Sequence, residues 1–233
     1  MYEEKIIPPK KAMPQAQDGT LRKFALRVPE VIYQCSGIIV FGKRIKSLVF
    51  STDLSIIKNV NADAIIAVYP FTPQPIITQA LLLAADIPVF AGVGGGLTKG
   101  QRVVNLAMFA EMQGATGVVL NAPTANAVVQ HVAETIDIPV VVTVARADTD
   151  FEARLQAGAN IFNVSAAAET PAIVRSIRER YPDVPIIATG GPTDESILET
   201  IQAGANAITW TPPSNGEIFR GIMAAYRDNK PHP

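Results

Sequence analysis

The fold predicted by this sequence is a single (β/α)₈ barrel, on three observations. The chain has 233 residues, close to the roughly 250 typical of one such barrel. A sequence pattern repeats at about 46 residues. Eight short apolar runs alternate with eight helical stretches, the signature of right-handed βαβ units on a parallel sheet.

The repeat has two halves. Asp86-Ile87-Pro88-Val89-Phe90, Asp137-Ile138-Pro139-Val140-Val141 and Asp183-Val184-Pro185-Ile186-Ile187 share one pattern. Gln156-Ala157-Gly158-Ala159-Asn160 and Gln202-Ala203-Gly204-Ala205-Asn206 share the other, with weaker copies at Gln113-Gly114-Ala115-Thr116 and Asn61-Ala62-Asp63. Proline at a strand's first position withholds no needed donor from the ladder. Glycine just past a helix supplies the positive φ of a tight exit. The two patterns therefore read as strand entries, one opening on Pro, the other on a helix end and turn.

Taken in order, the predicted strands are 45–51, 63–69, 88–92, 117–121, 139–144, 160–165, 185–189 and 206–211. Their near-continuous Val/Ile/Ala content suits a sheet with helices on one face and a core on the other. The predicted helices are 53–60, 74–85, 98–113, 125–136, 149–157, 170–181, 193–203 and 215–227. Residues 1–36 precede the repeat as an N-terminal extension, and 37–233 form the barrel. Within the extension, 21–34 reads as an extra helix flawed by Pro29. The apolar run Gly37-Ile38-Ile39-Val40-Phe41 is expected either to cap the barrel floor or to pair with the strand after Gly42.

Composition excludes several function classes. The formal net charge is −1, which provides no field to gather nucleic acid or an anionic membrane. Basic residues do crowd the first 46 positions (Lys10, Lys11, Arg22, Lys23, Arg27, Lys43, Arg44 and Lys46) and read as a solvated end segment. The single cysteine, Cys35, allows no intrachain disulfide and suits a reducing compartment. No apolar run spans a bilayer, and Met1-Tyr2-Glu3-Glu4-Lys5 has no signal-peptide pattern, so the expectation is a cytoplasmic protein. Ala- and Val-rich helix faces hint at a homo-oligomer.

Barrels of this kind react at the C-terminal ends of their strands. Aligning the repeats puts Ile66, Val119, Asn163 and Thr209 in one column and Val68, Asn121, Ser165 and Thr211 two residues further on, on the same face. The column between, Ala67, Leu120, Val164 and Trp210, is apolar and is expected to face the helices. The odd strands end on Gly92, Thr143 and Thr189, and the first on Ser51-Thr52-Asp53. A polar column in an apolar strand is unfavourable unless it meets partners or water. The expected lining is therefore Ser51 or Asp53, Tyr69, Gly92, Asn121, Thr143, Asn163, Ser165, Thr189 and Thr211. Asp53 and Tyr69 are the candidates for acid–base steps, although Asp53 also suits the N-cap of the next helix. Asn121 and Asn163 would orient a substrate. Arg146 would clamp a carboxylate or phosphate, or else pair with Asp148 or Asp150. Glu111 and Glu217 are more remote.

Two glycine clusters suggest anion or cofactor contacts. Thr189-Gly190-Gly191-Pro192-Thr193-Asp194-Glu195 follows the seventh strand and Thr211-Pro212-Pro213-Ser214-Asn215-Gly216-Glu217 the eighth, the two loops that often build a phosphate site. Gly190, Gly191, Ser214, Asn215 and Gly216 are the expected contacts. Gly92-Val93-Gly94-Gly95-Gly96-Leu97-Thr98-Lys99 follows the third strand, where Gly94, Gly95 and Gly96 would bring backbone to a ligand and Lys99 and Arg102 would close on an anion. No strand ends in Lys for a Schiff base. The two histidines, His131 and His232, provide no metal cluster, and the G-x-S-x-G nucleophile elbow is missing.

Ile187-Ala188-Thr189-Gly190-Gly191 with Ile201-Gln202-Ala203-Gly204-Ala205-Asn206-Ala207-Ile208 resembles the last quarter of phosphate-binding (β/α)₈ barrels: ribulose-phosphate-binding enzymes, thiamine phosphate synthase-like proteins and FMN-binding barrels. The usual small Gly-Ser turn after the last strand is replaced by Thr211-Pro212-Pro213-Ser214. The whole chain also resembles a bacterial family labelled hydrolase. The resemblance implies an enzyme for a small phosphorylated metabolite, with lyase, isomerase or hydrolase chemistry. Two alternatives stay open: an FMN-dependent oxidoreductase, in which the cofactor carries the chemistry, and a non-catalytic sensor similar to glycerol-3-phosphate-responsive antiterminators.

Overall fold

The computed structural model of the protein describes Gly19 and residues 26–231. Lys10, Lys11, Arg22, Lys23 and His232 lie outside them, as does the first part of the expected helix over 21–34. Its remainder is not an α-helix. Leu26 forms an isolated parallel bridge with Val60, and a single 3₁₀ turn follows at Glu30–Gln34 with Pro29 as its N-cap. Proline pushes its predecessor out of the α region and lacks the N–H that a helix interior needs, so Pro29 sits where a helix begins rather than within one.

The elements then run β1 (Ile38–Val40), β2 (Lys43–Ile45), β3 (Ser47–Phe50), α1 (Leu54–Lys58), β4 (Ala64–Ala67), α2 (Pro75–Ala84), β5 (Val89–Gly94), α3 (Gln101–Met112), β6 (Gly117–Leu120), α4 (Asn126–Thr135), β7 (Val140–Val144), α5 (Phe151–Gln156), β8 (Ile161–Val164), α6 (Thr170–Arg180), β9 (Ile186–Thr189), α7 (Asp194–Gln202), β10 (Ala207–Trp210) and α8 (Asn215–Arg227). Strands β3 to β10 close into a barrel, β10 pairing with both β9 and β3. All eight pairings are parallel. The protein is a (β/α)₈ barrel.

The repeat has a hydrogen-bonding cause. Each Asp or Asn that the repeat places before an even barrel strand accepts an amide from the start of the strand before it. Asp63 Oδ2 accepts Lys46 N–H at 2.8 Å and Ser47 N–H at 3.0 Å. Asn160 Oδ1 accepts Val140 N–H at 2.8 Å, and Asn206 Oδ1 accepts Ile186 N–H at 2.9 Å. These amides open strands, where no ladder partner precedes them, and buried backbone donors need one.

Two apolar layers result. The inner one contains Leu48, Ala64, Ile66, Phe90, Val119, Val141, Ile161, Ile187 and Ala207. The alternate strand positions, among them Ile65, Ala67, Leu120, Val164 and Ala188, pack outward against the helices, as the repeat alignment predicts. Both expectations for the run before the barrel hold. β1 pairs antiparallel with β2, and Ile38, Val40 and Ile45 of this hairpin belong to the inner cluster, plugging the barrel floor.

Candidate functional site at the barrel mouth

Alternation along each strand fixes which side chains reach the mouth. Two residues beyond the inner layer come Phe50, Val68, Gly92, Asn121, Thr143, Asn163, Thr189 and Thr209. The half built by β7 to β10 is polar. The half built by β3 to β5 is apolar. Thr143 stands in register with Asn163, and Thr189 with Thr209. No charged side chain occurs among these eight.

Asn163 is 8% exposed and Thr209 7%. The Asn163 amide donates to Thr143 Oγ1 at 3.4 Å, a long contact, while its Oδ1 has no partner, nor has Thr209 Oγ1. Leaving a buried polar atom unbonded costs about 1–3 kcal/mol. Thr209 shares Asn163's column in the repeat, so the sequence pattern could have placed it in the site. Ser165 and Thr211, at the next turn of the same face, are exposed.

A cavity of about 160 Å³ opens beside this ring, bounded by the β4–α2 loop and the glycine turn after β5, with Tyr69, Phe71, Gly96, Thr98 and Asn121 in its walls. Tyr69 Oη accepts Gln74 N–H at 2.8 Å, which leaves its own proton available to the cavity. Asn121 ties the loop by its backbone: its N–H donates to Gly94 O at 2.9 Å and its carbonyl accepts Thr124 N–H at 3.0 Å. Its side-chain amide has no partner among the described residues and lies 3.7 Å from where a Cβ on Gly96 would stand. Gly95, at φ +105°, touches this loop so closely that a Cβ would lie 1.9 Å from Thr124 Oγ1. Arg154 on α5 holds the same loop from outside, donating to Ala122 O at 2.9 Å, to Asn126 Oδ1 at 2.8 Å and to Thr124 O. Thr98 is a wall residue that no sequence pattern singles out; its burial comes from the turn's geometry.

Other expected site residues have structural partners. Asp53 is the N-cap of α1: Oδ1 accepts Ser55 N–H at 2.8 Å and Ser55 Oγ–H at 2.7 Å, and Oδ2 accepts Asn215 Nδ2–H at 2.6 Å. The Ser55 hydrogen bond, with those from the Ile56 and Ser55 amides, holds its carboxyl below the ordinary value against a smaller opposing effect of burial. A carboxylate so stabilised as an anion is a poor proton acceptor. Ser51 Oγ accepts Asp53 N–H at 3.1 Å. Arg146 is exposed and bidentate to Asp148, at 2.9 and 2.6 Å. Glu111 accepts the amides of Asp137 and Ile138 at 2.6 and 3.1 Å, far from the mouth at the other end of α3.

The two helix starts expected to hold phosphate already carry the chain's own acids. α7 begins with Thr193 as N-cap and Asp194 and Glu195 in its first turn. At α8, Glu217 Oε2 accepts both Ser214 N–H at 2.8 Å and Ser214 Oγ–H at 2.7 Å, and Asn215 donates to Asp53. Gly190 is needed for packing, because a Cβ there would stand 2.8 Å from both Ile197 and Ile208, and Gly191 for its φ of +85°. Gly216 is exposed.

No family model matches the chain, and no curated protein matches it. Solved structures do. Phosphoenolpyruvate phosphomutase from Streptomyces platensis subsp. rosaceus superposes with a TM-score of 0.60 at 15% identity, over 85% of this chain and 86% of that one. Phosphonopyruvate hydrolase in complex with oxalate and Mg²⁺ gives 0.59 at 13%, over 80% and 84%. 2,3-Dimethylmalate lyase, a PEP mutase/isocitrate lyase superfamily member, gives 0.57 at 11%, over 85% and 82%. At such identities the likeness shows the fold alone. It supports the barrel, but not the finer kinship with ribulose-phosphate- or FMN-binding barrels expected from the last quarter. Among the described residues no three His, Cys, Asp or Glu side chains gather where together they could hold a metal ion.

Proposed function

We propose that this protein is an enzyme acting on a small phosphorylated or carboxylate metabolite held at the C-terminal mouth of the barrel. The observation carrying this reading is the pair of buried, unpartnered polar atoms, Asn163 Oδ1 and Thr209 Oγ1, in register with Thr143 and Thr189 on the neighbouring strands. Polar atoms are rarely left unbonded in a folded interior; a ligand completes these. Asn163, Thr209, Thr143 and Thr189 orient the substrate through neutral hydrogen bonds, with Ser165 and Thr211 at the rim, while Asn121 and Tyr69 meet it from the cavity. Tyr69 is the group for proton donation, because Asp53 is held as an anion at its helix cap. Lyase, isomerase and hydrolase chemistry all suit such a site. Phosphomutase, phosphonopyruvate hydrolase and lyase enzymes among barrels of the same fold support the substrate class.

The test is thermal shift and calorimetry with phosphoenolpyruvate, oxalate, sugar phosphates and FMN, on the wild type and Asn163→Leu. A ligand at 100 times its Kd stabilises the folded state by about 2.7 kcal/mol. At least one phosphorylated or carboxylate compound should raise the wild-type Tm and fail to raise that of Asn163→Leu. No shift with any compound, or equal shifts in both proteins, would overturn the reading. Saturable FMN binding with a flavin spectrum would move it to an oxidoreductase.

A further inference from the structure

We propose that the ligand's oxyanion, a phosphoryl or carboxylate group, is held by the Gly94–Thr98 turn ahead of α3, and not between α7 and α8. This rests on the reading of the mouth as the site of a small anionic metabolite, and adds where the charge sits.

At α7 and α8 an arriving anion meets Asp194, Glu195 and Glu217, and Asp53 behind Asn215. Like charges at close range disfavour binding, and the dipole of each helix start is already answered by these carboxylates. The start of α3 differs. Gly100 provides no side-chain cap, and no acidic residue lies in the first turn. Lys99 and Arg102, flanking it in sequence, are exposed and have no carboxylate partner among the described residues.

The turn itself offers donors. Gly95 N–H closes it on Thr98 O at 2.9 Å. The next two amides, Gly96 and Leu97, have no acceptor among the described residues. Thr98 is 4% exposed, its Oγ1 has no partner, and it forms part of the cavity wall together with Gly96 and Leu97. A buried hydroxyl without a partner, beside two free amides and ahead of an uncapped 12-residue helix, is the donor set of an oxyanion site. The cavity's 160 Å³ corresponds to about five waters at ~30 Å³ each. That suits one phosphoryl or carboxylate group with its nearest atoms.

Titration of the ¹⁵N-labelled full chain with inorganic phosphate, and separately with oxalate, reads both candidate sites in one experiment. The Gly96 and Leu97 amide signals should shift saturably. Thr98→Val should weaken the binding about tenfold, Thr98→Ser should restore it, and the pair Lys99→Ala/Arg102→Ala should flatten its salt dependence. A larger response to phosphate than to oxalate would assign a phosphoryl group, and the reverse a carboxylate. Saturable shifts at Gly190, Gly191 and Gly216 with Gly96 and Leu97 unmoved would overturn the proposal, as would no saturable shift anywhere. Either of those results leaves the interior reading intact if a metabolite still stabilises the wild type and not Asn163→Leu.

Discussion

Asn163 sits where a strand of this barrel would otherwise carry Ile or Val, so its presence has a stability consequence opposite to its use in binding. Removing a buried amide whose oxygen is unbonded and whose one hydrogen bond is long, while keeping its branched shape, relieves a desolvation penalty. Asn163→Leu should therefore leave the unliganded Tm unchanged or raise it, by up to about 1 kcal/mol of stability, while ligand binding is lost. A fall in denaturant midpoint would mean that the amide is structurally satisfied and the site argument fails. Two neighbouring glycines give a second residue-scale contrast. Gly95→Ala puts a Cβ 1.9 Å from Thr124 Oγ1 at φ +105°, and should destabilise by about 2–3 kcal/mol. Gly96→Ala has free space to 3.7 Å and no positive φ, so its stability should stay within about 0.5 kcal/mol of wild type. Urea denaturation of both checks this; equal effects would show that the turn is not packed as described. At this scale the sequence was readable where periodicity operates. Strand alternation alone puts Asn163, Thr143 and Thr189 on the inner face. It could not tell which partner a side chain with two plausible roles would take: Asp53 joined its helix cap and Arg146 joined Asp148. Nor could it reveal the burial of Thr98, which depends on how a turn folds over a loop distant in sequence.

Among the elements, the eight strands and eight helices of the barrel lie within a few residues of their predicted bounds, because Pro at strand starts, Gly at helix exits and Asp or Asn accepting strand-opening amides are local chemistry. The segment before the barrel was less legible. Pro29 is a local signal against a helix there, whereas the bridge from Leu26 to Val60 belongs to tertiary packing. The β1–β2 hairpin contains a local conflict of its own. Its two turn residues, Phe41 and Gly42, have φ of +46° and +77°, the pattern of a type I′ turn that favours Asn-Gly. A left-handed conformation costs an ordinary residue about 1–2 kcal/mol, and Phe41 is 69% exposed, so no packing offsets it. Phe41→Asn should raise stability by about 1 kcal/mol, seen as a higher Tm; a lower one would mean that the ring makes a contact not visible in a single chain. The cap of α1 sets a pH dependence. Because Asp53 has a folded-state pKa below its ordinary 3.8, its contribution is present above that value and is lost as pH falls through the lower, folded one. Asp53→Ala should cost about 1 kcal/mol at neutral pH, and the difference from wild type should vanish in acid. A difference that persists at pH 2 would show that the carboxylate charge is not what stabilises the cap.

For the molecule as a whole, a barrel of this size is a filled cylinder, and both of its ends need an account. The mouth is left partly unfilled and polar. The floor is closed by residues from outside the eight-stranded unit: Ile38, Val40 and Ile45 join the same cluster as Leu48, Phe90, Val119 and Ile187, and all three are nearly inaccessible. The hairpin thus completes the interior core, although the eight-fold repeat contains no place for it. The consequence is a sharp asymmetry between its two faces. Ile45→Ala should destabilise by about 2–5 kcal/mol, through lost burial and the cavity left behind. Ile39→Thr, on the exposed face at 64%, should change stability by no more than about 0.5 kcal/mol. Removal of residues 1–45 should leave a chain with helical circular dichroism but weakened near-ultraviolet signal and bound hydrophobic dye, the marks of an interior that has lost fixed packing. If the truncated chain instead unfolds with wild-type cooperativity and midpoint, the eight strands pack sufficiently by themselves, and the hairpin is a surface addition. In that event the floor no longer explains why the mouth is the end left open to a ligand.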